Sequence, residues 1–262
     1  MQAQKNSTHL VIGLGEIGKP LFTLLSRAHP NYVGVDIEPV EVAGPVGMMH
    51  VCYPFLVGKG FVETTVAYIR KYHPAVVIIN STVVPGTTRS IAEAGGVPCV
   101  YSPVRGKHTR MEADSLFYCK FVAGGSERAV QVASEHFSAA GMKTKTMSSE
   151  EGLELAKLLE TTYFGLLIAW AQEMDRFSRH LNVDYNEVAS FFEEIAYLPP
   201  FVFQPGYIAG HCVMPNIALL KTHFHSEFLD AIERSNDKKA KELSSHPDKL
   251  RERIEPLPLR RL

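Results

Sequence analysis

Cysteine is scarce in this chain, and no two cysteines are spaced as CxxC. Cys52, Cys99, Cys119 and Cys212 are the full set in 262 residues. This argues against a structural zinc site and a disulfide framework, so no metal is expected and a reducing, cytoplasmic setting is the default. Charge of one sign is also lacking. The formal net charge is −1, which removes any global electrostatic case for nucleic acid. No apolar run approaches the roughly 20 residues that cross a bilayer. The opening MQAQKNST lacks the basic-then-apolar order of a signal peptide. Neither nucleic acid nor membrane is therefore expected as a partner. Internal repeats and low-complexity tracts are missing too. What is present is a 45% hydrophobic, 21% charged composition, enough for one large domain or two small ones.

The most informative stretch is HLVIGLGEIGKPL, from His9 to Leu21. A short apolar run leads into Gly13-x-Gly15-x-x-Gly18, with Glu16 and Ile17 inside the turn, and then into a helix-like segment. A second apolar run, YVGVD, ends in Asp36. Strand, glycine turn, helix, strand and acid is the order of a dinucleotide-binding βαβ unit. Gly13 permits the tight turn, Gly15 leaves a pyrophosphate unobstructed, and Gly18 lets helix and strand pack closely. The helix N-terminus offers N–H groups to phosphate. Asp36 can accept hydrogen bonds from both ribose hydroxyls and repels a 2′-phosphate, so NAD is favoured over NADP.

The first half alternates apolar runs with amphipathic segments. Strands are expected at His9–Ile12, Tyr32–Val35, Met49–Tyr53, Ala75–Asn80, Cys99–Tyr101 and Phe121–Ala123. Helices are expected at Ile17–Arg27, Val62–Tyr72, Thr87–Ala94 and Glu127–Ala140. The order implies an α/β, Rossmann-type, doubly wound parallel sheet over residues 1–147. A ligand would sit at the carboxyl ends of its strands, near Tyr53, Pro54, Ser81, Thr82, Ser102 and Pro103. From residue 148 the pattern turns helical. Glu150–Leu181 reads as one long helix with excess apolar surface, which suggests a homodimer interface or a helix buried within its own domain. Helices are also expected at Tyr185–Ala196 and Asn216–Lys241, the latter carrying His223 and His225. The proline-rich stretch between them is expected to be irregular. Residues 148–243 thus form a helical dimerisation or substrate domain, and 244–262 a charged, mobile tail.

Several signatures stand in one order: GLGEIGKPL, VGVD, STVVPGTTR, YSPVRGK, AGGS, ELAKLLETTYFGLLIAWAQEMDRF and PGYIAGHCVMPNIALL. Together they resemble the UDP-glucose/GDP-mannose dehydrogenase family, over roughly Leu10 to Lys241. That family oxidises a sugar-nucleotide alcohol to the acid with two NAD, and has a further C-terminal domain that holds the substrate nucleotide. The resemblance implies that Cys212 is the nucleophile and that Lys157 stabilises the developing oxyanion. It also places Thr82 at the nicotinamide side of the cofactor. Three positions depart from the family pattern. Thr161 stands where an Asn is usual. Asn216 stands where an Asp moves the proton, and Val104 where a Glu helps hydrolyse the thioester. Loss of one general base costs on the order of 10²–10⁴ in rate. Histidines are candidate replacements: His108, His211, His223 and His225. Arg105, Lys107 and Arg110 form a basic cluster that could pair with an anionic group on a small-molecule substrate.

Three readings remain open. The first is an NAD-dependent oxidoreductase with altered acid–base residues and a different or smaller substrate. The second is an S-adenosylmethionine-dependent methyltransferase, since the turn and Asp36 would also hold that adenosine. The third is a non-catalytic, NAD-binding regulatory protein.

Overall fold

The computed structural model describes residues 7–38, 40–193, 205–209 and 212–245, with the backbone alone at His108 and Glu193. Two compact units divide at Leu158, within a single long helix.

The first unit holds a seven-stranded sheet. Its strands are β1 (Thr8–Ile12), β2 (Tyr32–Val35), β3 (Val46–Val51), β4 (Val76–Ile79), β5 (Cys99–Tyr101), β6 (Lys120–Gly124) and β7 (Thr144–Thr146). Their spatial order is β2-β1-β3-β4-β5-β6-β7. All neighbours are parallel except β5 and β6, which pair antiparallel through Val100↔Gly124 and Tyr101↔Ala123. The fully parallel sheet expected from the alternation is corrected at that one step. Helices α1 (Gly18–Ala28), α2 (Phe61–Tyr72), α3 (Thr87–Gly95), α4 (Met111–Phe117) and α5 (Glu127–Ala139) connect the strands. A turn of 3-10 helix, His108–Arg110, precedes α4.

Alternation along the strands sorts side chains into two cores, because successive residues face opposite sides of a sheet. On one face Leu10, Met49, Val51, Ile79 and Tyr101 pack with Phe61 and Ile69 of α2 and Ile91 of α3. On the other, Val11, Met48, Ile78 and Val122 pack with Leu21 and Leu25 of α1 and with Phe137 of α5. The apolar residues of α1 recur at helical spacing, at positions 21, 24 and 25, and all three are buried.

The long helix α6 (Glu150–His180) begins in the first unit and continues into the second. The second unit adds α7 (Tyr185–Glu193), α8 (Val213–Lys221) and α9 (Glu227–Ser245). The single helix expected over Asn216–Lys241 is thus two. The hydroxyl of Thr222 donates to Leu219 O at 2.6 Å, and the N–H groups of His223 and Phe224 both return to Leu220 O, closing α8 without a Gly or Pro. His223 and His225 lie in this exposed connection, not on a helix. Ser244 and Ser245, assigned to the tail, still belong to α9, and the rest of that tail lies outside the described residues. No helix among the described residues is long and apolar enough to cross a membrane.

Candidate functional site

The strand order reverses at β1, with β2 on one side of it and β3 on the other. Ligands of open α/β sheets bind where the strand order reverses in this way. Three strand ends meet there. Gly13 N–H donates to Val35 O at 2.8 Å, so the glycine turn is tied to the residue before Asp36, and Cys52 N–H donates to Ile12 O at 2.8 Å. β3 ends at Val51, two residues earlier than expected, because the chain bends there toward the turn.

The three glycines of the turn have different reasons to be glycine. Gly13 has φ +90°, and a Cβ on it would lie 2.8 Å from Tyr53 N. A Cβ on Gly18 would overlap the carbonyl oxygen of Gly13. At Gly15 a Cβ would meet nothing within 4 Å. The chain itself therefore does not need glycine at 15, and a group arriving from outside would. The side chains of Glu16, Asp36 and the adjacent Ile37 are exposed at this corner, Ile37 almost fully at 94%. Ile17 is half-buried at the start of α1.

Tyr53 leans away from the turn onto α2. Its hydroxyl meets Thr65 Oγ1 at 2.5 Å, its ring packs on Phe61 at 5.0 Å, and burial pushes its phenol well above the usual range. Pro54 is exposed. Ser81 Oγ donates to Tyr53 O at 2.6 Å, joining the ends of β3 and β4. Thr82 is next in the chain, half-buried.

Sequence reasoning missed Glu154. It sits in the first turns of α6, and its carboxylate accepts from Gly86 N at 2.7 Å, Thr88 N at 2.9 Å and Thr88 Oγ1 at 2.7 Å. It caps the N-terminus of α3, whose first-turn N–H groups have no partner within that helix. Burial pushes its carboxyl up to about 7, against three donated bonds that favour the ionised form. The capped segment leads back to Ser81 and Thr82, and Lys157, half-buried, lies one turn further along α6.

Val104 is buried, so the position where the resemblance implies a glutamate belongs to the interior. In the basic cluster, Arg110 pairs with Asp114 at 3.1 Å and Lys107 N–H donates to the other oxygen of that carboxylate. Arg105 lies over the Phe121 ring at 5.5 Å. His108 opens the 3-10 turn, and nothing is described of its side chain; His211 lies outside the described residues.

In the second unit Cys212 is exposed and immediately precedes α8. Proline is tolerated at 215 because a first-turn N–H has no partner to lose. The two substituted positions of the resemblance meet here: Asn216 Nδ2 donates to Thr161 Oγ1 at 2.6 Å. An amide and a hydroxyl thus hold α8 to α6. One turn on, a Cβ at Gly165 would run into Val213 Cγ1, so glycine sets the closeness of this crossing. Neither Gly165 nor Asn236 was singled out in the sequence. Asn236 accepts from Ile208 N at 2.8 Å and donates to Ile208 O at 3.2 Å, and Gln172 donates to Gly206 O at 2.5 Å. Together they fix the irregular segment that leads toward Cys212. A glutamine directly after the apolar run Gly165–Ala171 was the available signal. Among the described residues, no His, Cys, Asp and Glu group could hold a metal ion.

The segment 151–238 matches the model of the UDP-glucose/GDP-mannose dehydrogenase family, central domain. A curated relative, the UDP-N-acetyl-D-mannosamine dehydrogenase of Pyrococcus horikoshii, is 26% identical over 167 residues, covering 59% of this chain and 39% of that one. Among solved structures, a UDP-D-ManNAc dehydrogenase from Pyrococcus horikoshii shares the fold with a TM-score of 0.80 at 17% identity, over 92% of this chain and 71% of that chain. The 3-hydroxyisobutyrate dehydrogenase of Mycobacterium tuberculosis does so with a TM-score of 0.68 at 16% identity, over 92% and 95%. The match of the helical segment and the curated relative liken this chain to the UDP-glucose/GDP-mannose dehydrogenase family, and the solved structures share its fold.

Proposed function

We propose that the chain is an NAD(H)-binding oxidoreductase related to the nucleotide-sugar dehydrogenases, with a different or smaller substrate. The observation that carries this reading is Gly15. It is bare at a place where the fold has room for a side chain, between two glycines that the fold itself requires. A pyrophosphate would use that space, whereas S-adenosylmethionine has no such group. The N–H groups at the start of α1 would receive the phosphates. Asp36 would accept from the ribose hydroxyls, and Ile37 would offer an apolar surface to the adenine. When bound, the nicotinamide supplies two-electron redox chemistry.

The chain's own groups restrict the reaction. Lys157 provides an ammonium for a developing oxyanion. Cys212 precedes a helix N-terminus, where an anionic sulfur is favoured. Asn216 cannot take a proton, and its amide is engaged with Thr161. The buried Val104 does no acid–base work. With neither Asn216 nor Val104 able to take a proton, a single alcohol–carbonyl interconversion is favoured over a four-electron oxidation to the acid. Isothermal titration tests the cofactor reading: NADH should bind at least tenfold more tightly than NADPH, because Asp36 opposes a 2′-phosphate. Heat-silent titrations with both would end it.

A second copy of the chain is the partner this reading favours. Leu159, Tyr163, Trp170 and Phe177 are exposed and recur within about 40° of one another around α6, at 100° per residue. Light scattering should give the mass of a dimer at micromolar concentration. A monomer there, unchanged by Trp170→Glu, would remove the proposal.

A further inference from the structure

Four of the eleven histidines converge in the first unit, outside the chemistry proposed for the nucleotide. They come from β1 (His9), the end of α1 (His29), β3 (His50) and α5 (His136), and they surround Tyr32 of β2. The Tyr32 hydroxyl lies 2.5 Å from His136 Nε2 and 2.9 Å from His50 Nε2. His50 Nδ1 lies 3.3 Å from Asn80 Nδ2, which also donates to Ile78 O at 3.1 Å. His29 stacks on His136 with ring centres 4.0 Å apart, and His9 Nδ1 accepts from Met48 N.

One arrangement of protons satisfies these contacts. Asn80 gives a proton to His50 Nδ1, so the ring's own proton is on Nε2 and points at Tyr32. The tyrosine hydroxyl then donates onward to His136 Nε2, whose own proton is on Nδ1. In it both rings are neutral, and each of these contacts has one donor and one acceptor. A proton added at His136 Nε2 would set an N–H against the tyrosine O–H. The charges acting on these rings come from one another and from Lys120, all of one sign.

We propose that His9, Tyr32, His50 and His136, with His29 stacked against them, form an acid-triggered latch, which joins β1, β2, β3 and α5 only while the His9, His50 and His136 rings are neutral. Burial supports this. It holds His9 down at about 4, His136 at about 2 and His50 well below its ordinary 6.5. The other groups facing the cluster are Lys120 on β6, held down at about 7, and Cys52 just after β3, pushed up to about 12. Cys52 stays a thiol between pH 6.5 and 5, and Lys120, already mostly charged at 6.5, takes up only a fraction of a proton over that range.

A ring with a lowered folded value binds fewer protons folded than unfolded below pH 6.5. Stability from it is therefore complete above 6.5 and drains as pH falls. Glu154, raised to about 7, acts oppositely and offsets one of the three protons. The strands released are those that carry Gly13, Asp36 and Tyr53, so acid would dismantle the nucleotide corner. The latch itself concerns the folding of this unit and stands whether or not a dinucleotide binds.

Urea unfolding of the full chain between pH 6.5 and 5, monitored by circular dichroism, measures the linkage. The unfolding constant of the wild type should rise by up to about a hundredfold per pH unit, for a net two protons. His136→Gln should rise only about tenfold per unit. Equal slopes for the two proteins would overturn the latch. Should the variant not fold, histidine ring-proton NMR of the wild type decides. Three imidazoles should remain neutral down to pH 5.5 while the chain is folded, and ordinary titration of all of them near 6.5 would overturn it.

Discussion

Gly18→Ala is expected to lower the thermal midpoint of the chain by about 6–12 °C, the shift that about 3 kcal/mol produces in a protein of this size. Propensity alone argues the other way. Gly18 is the first residue of α1, and alanine is favoured over glycine in a helix by about 1 kcal/mol. The overlap is the larger effect. The added methyl would fall on the Gly13 carbonyl oxygen and lie 3.1 Å from Cys52 Cβ. A backbone carbonyl cannot swing aside as a side-chain tip does, and Gly13 is anchored by its N–H to Val35 O. Overpacking of this kind costs about 1–3 kcal/mol, and more where the neighbour is fixed. Thermal unfolding by circular dichroism reads the result. A midpoint within 2 °C of wild type would mean that helix and turn do not cross this closely.

Gly15→Val should do the reverse: leave the midpoint alone and weaken NADH by about a hundredfold or more. Gly15 does not have a positive φ, and a Cβ there meets no atom within 4 Å. The fold therefore has no objection to a branched side chain at this exposed position, and stability should change by less than about 0.5 kcal/mol. A dinucleotide lying on the turn would lose its close approach to the backbone. Charge-assisted hydrogen bonds to phosphate contribute about 1.5–3 kcal/mol each, and two lost bonds exceed a hundredfold in affinity. Unchanged NADH affinity in a well-folded Gly15→Val protein would move the nucleotide elsewhere. Paired with Gly18→Ala, the measurement separates a glycine the fold needs from one only a ligand needs.

The glycine turn, Asp36 and the alternating order were legible because their signals are local. A buried parallel strand such as β4, VVII, is apolar on both faces, and α1 repeats its leucines at helical spacing. What was missed lacks such patterns. β7 is TKT, three polar residues at the sheet edge, and its pairing comes from β6 rather than from its own composition. The break between α8 and α9 contains no Gly or Pro and depends on one threonine hydroxyl. Glu154 reads as an ordinary helix glutamate until α3, more than 60 residues earlier, presents its N-terminus. The four clustered histidines are scattered in the sequence, and only the strand order makes them neighbours. At the candidate catalytic positions the sequence showed that Thr161 and Asn216 depart from the family pattern. It could not show that they bond to each other.

The reversed strand β6 decides which glycine-rich turn can serve a nucleotide. The tract Ala123–Ser126 also leads from a strand into a helix, with Ser126 Oγ accepting from Ala129 N at the start of α5. Yet β6 runs against its neighbour, and a Cβ on Gly124 would sit 2.7 Å from the carbonyl of Cys99, at the amino end of β5. The two turns consequently open on opposite rims of the sheet. A single dinucleotide cannot touch both, and the helix dipole of α5 is aimed away from the phosphates that α1 would receive.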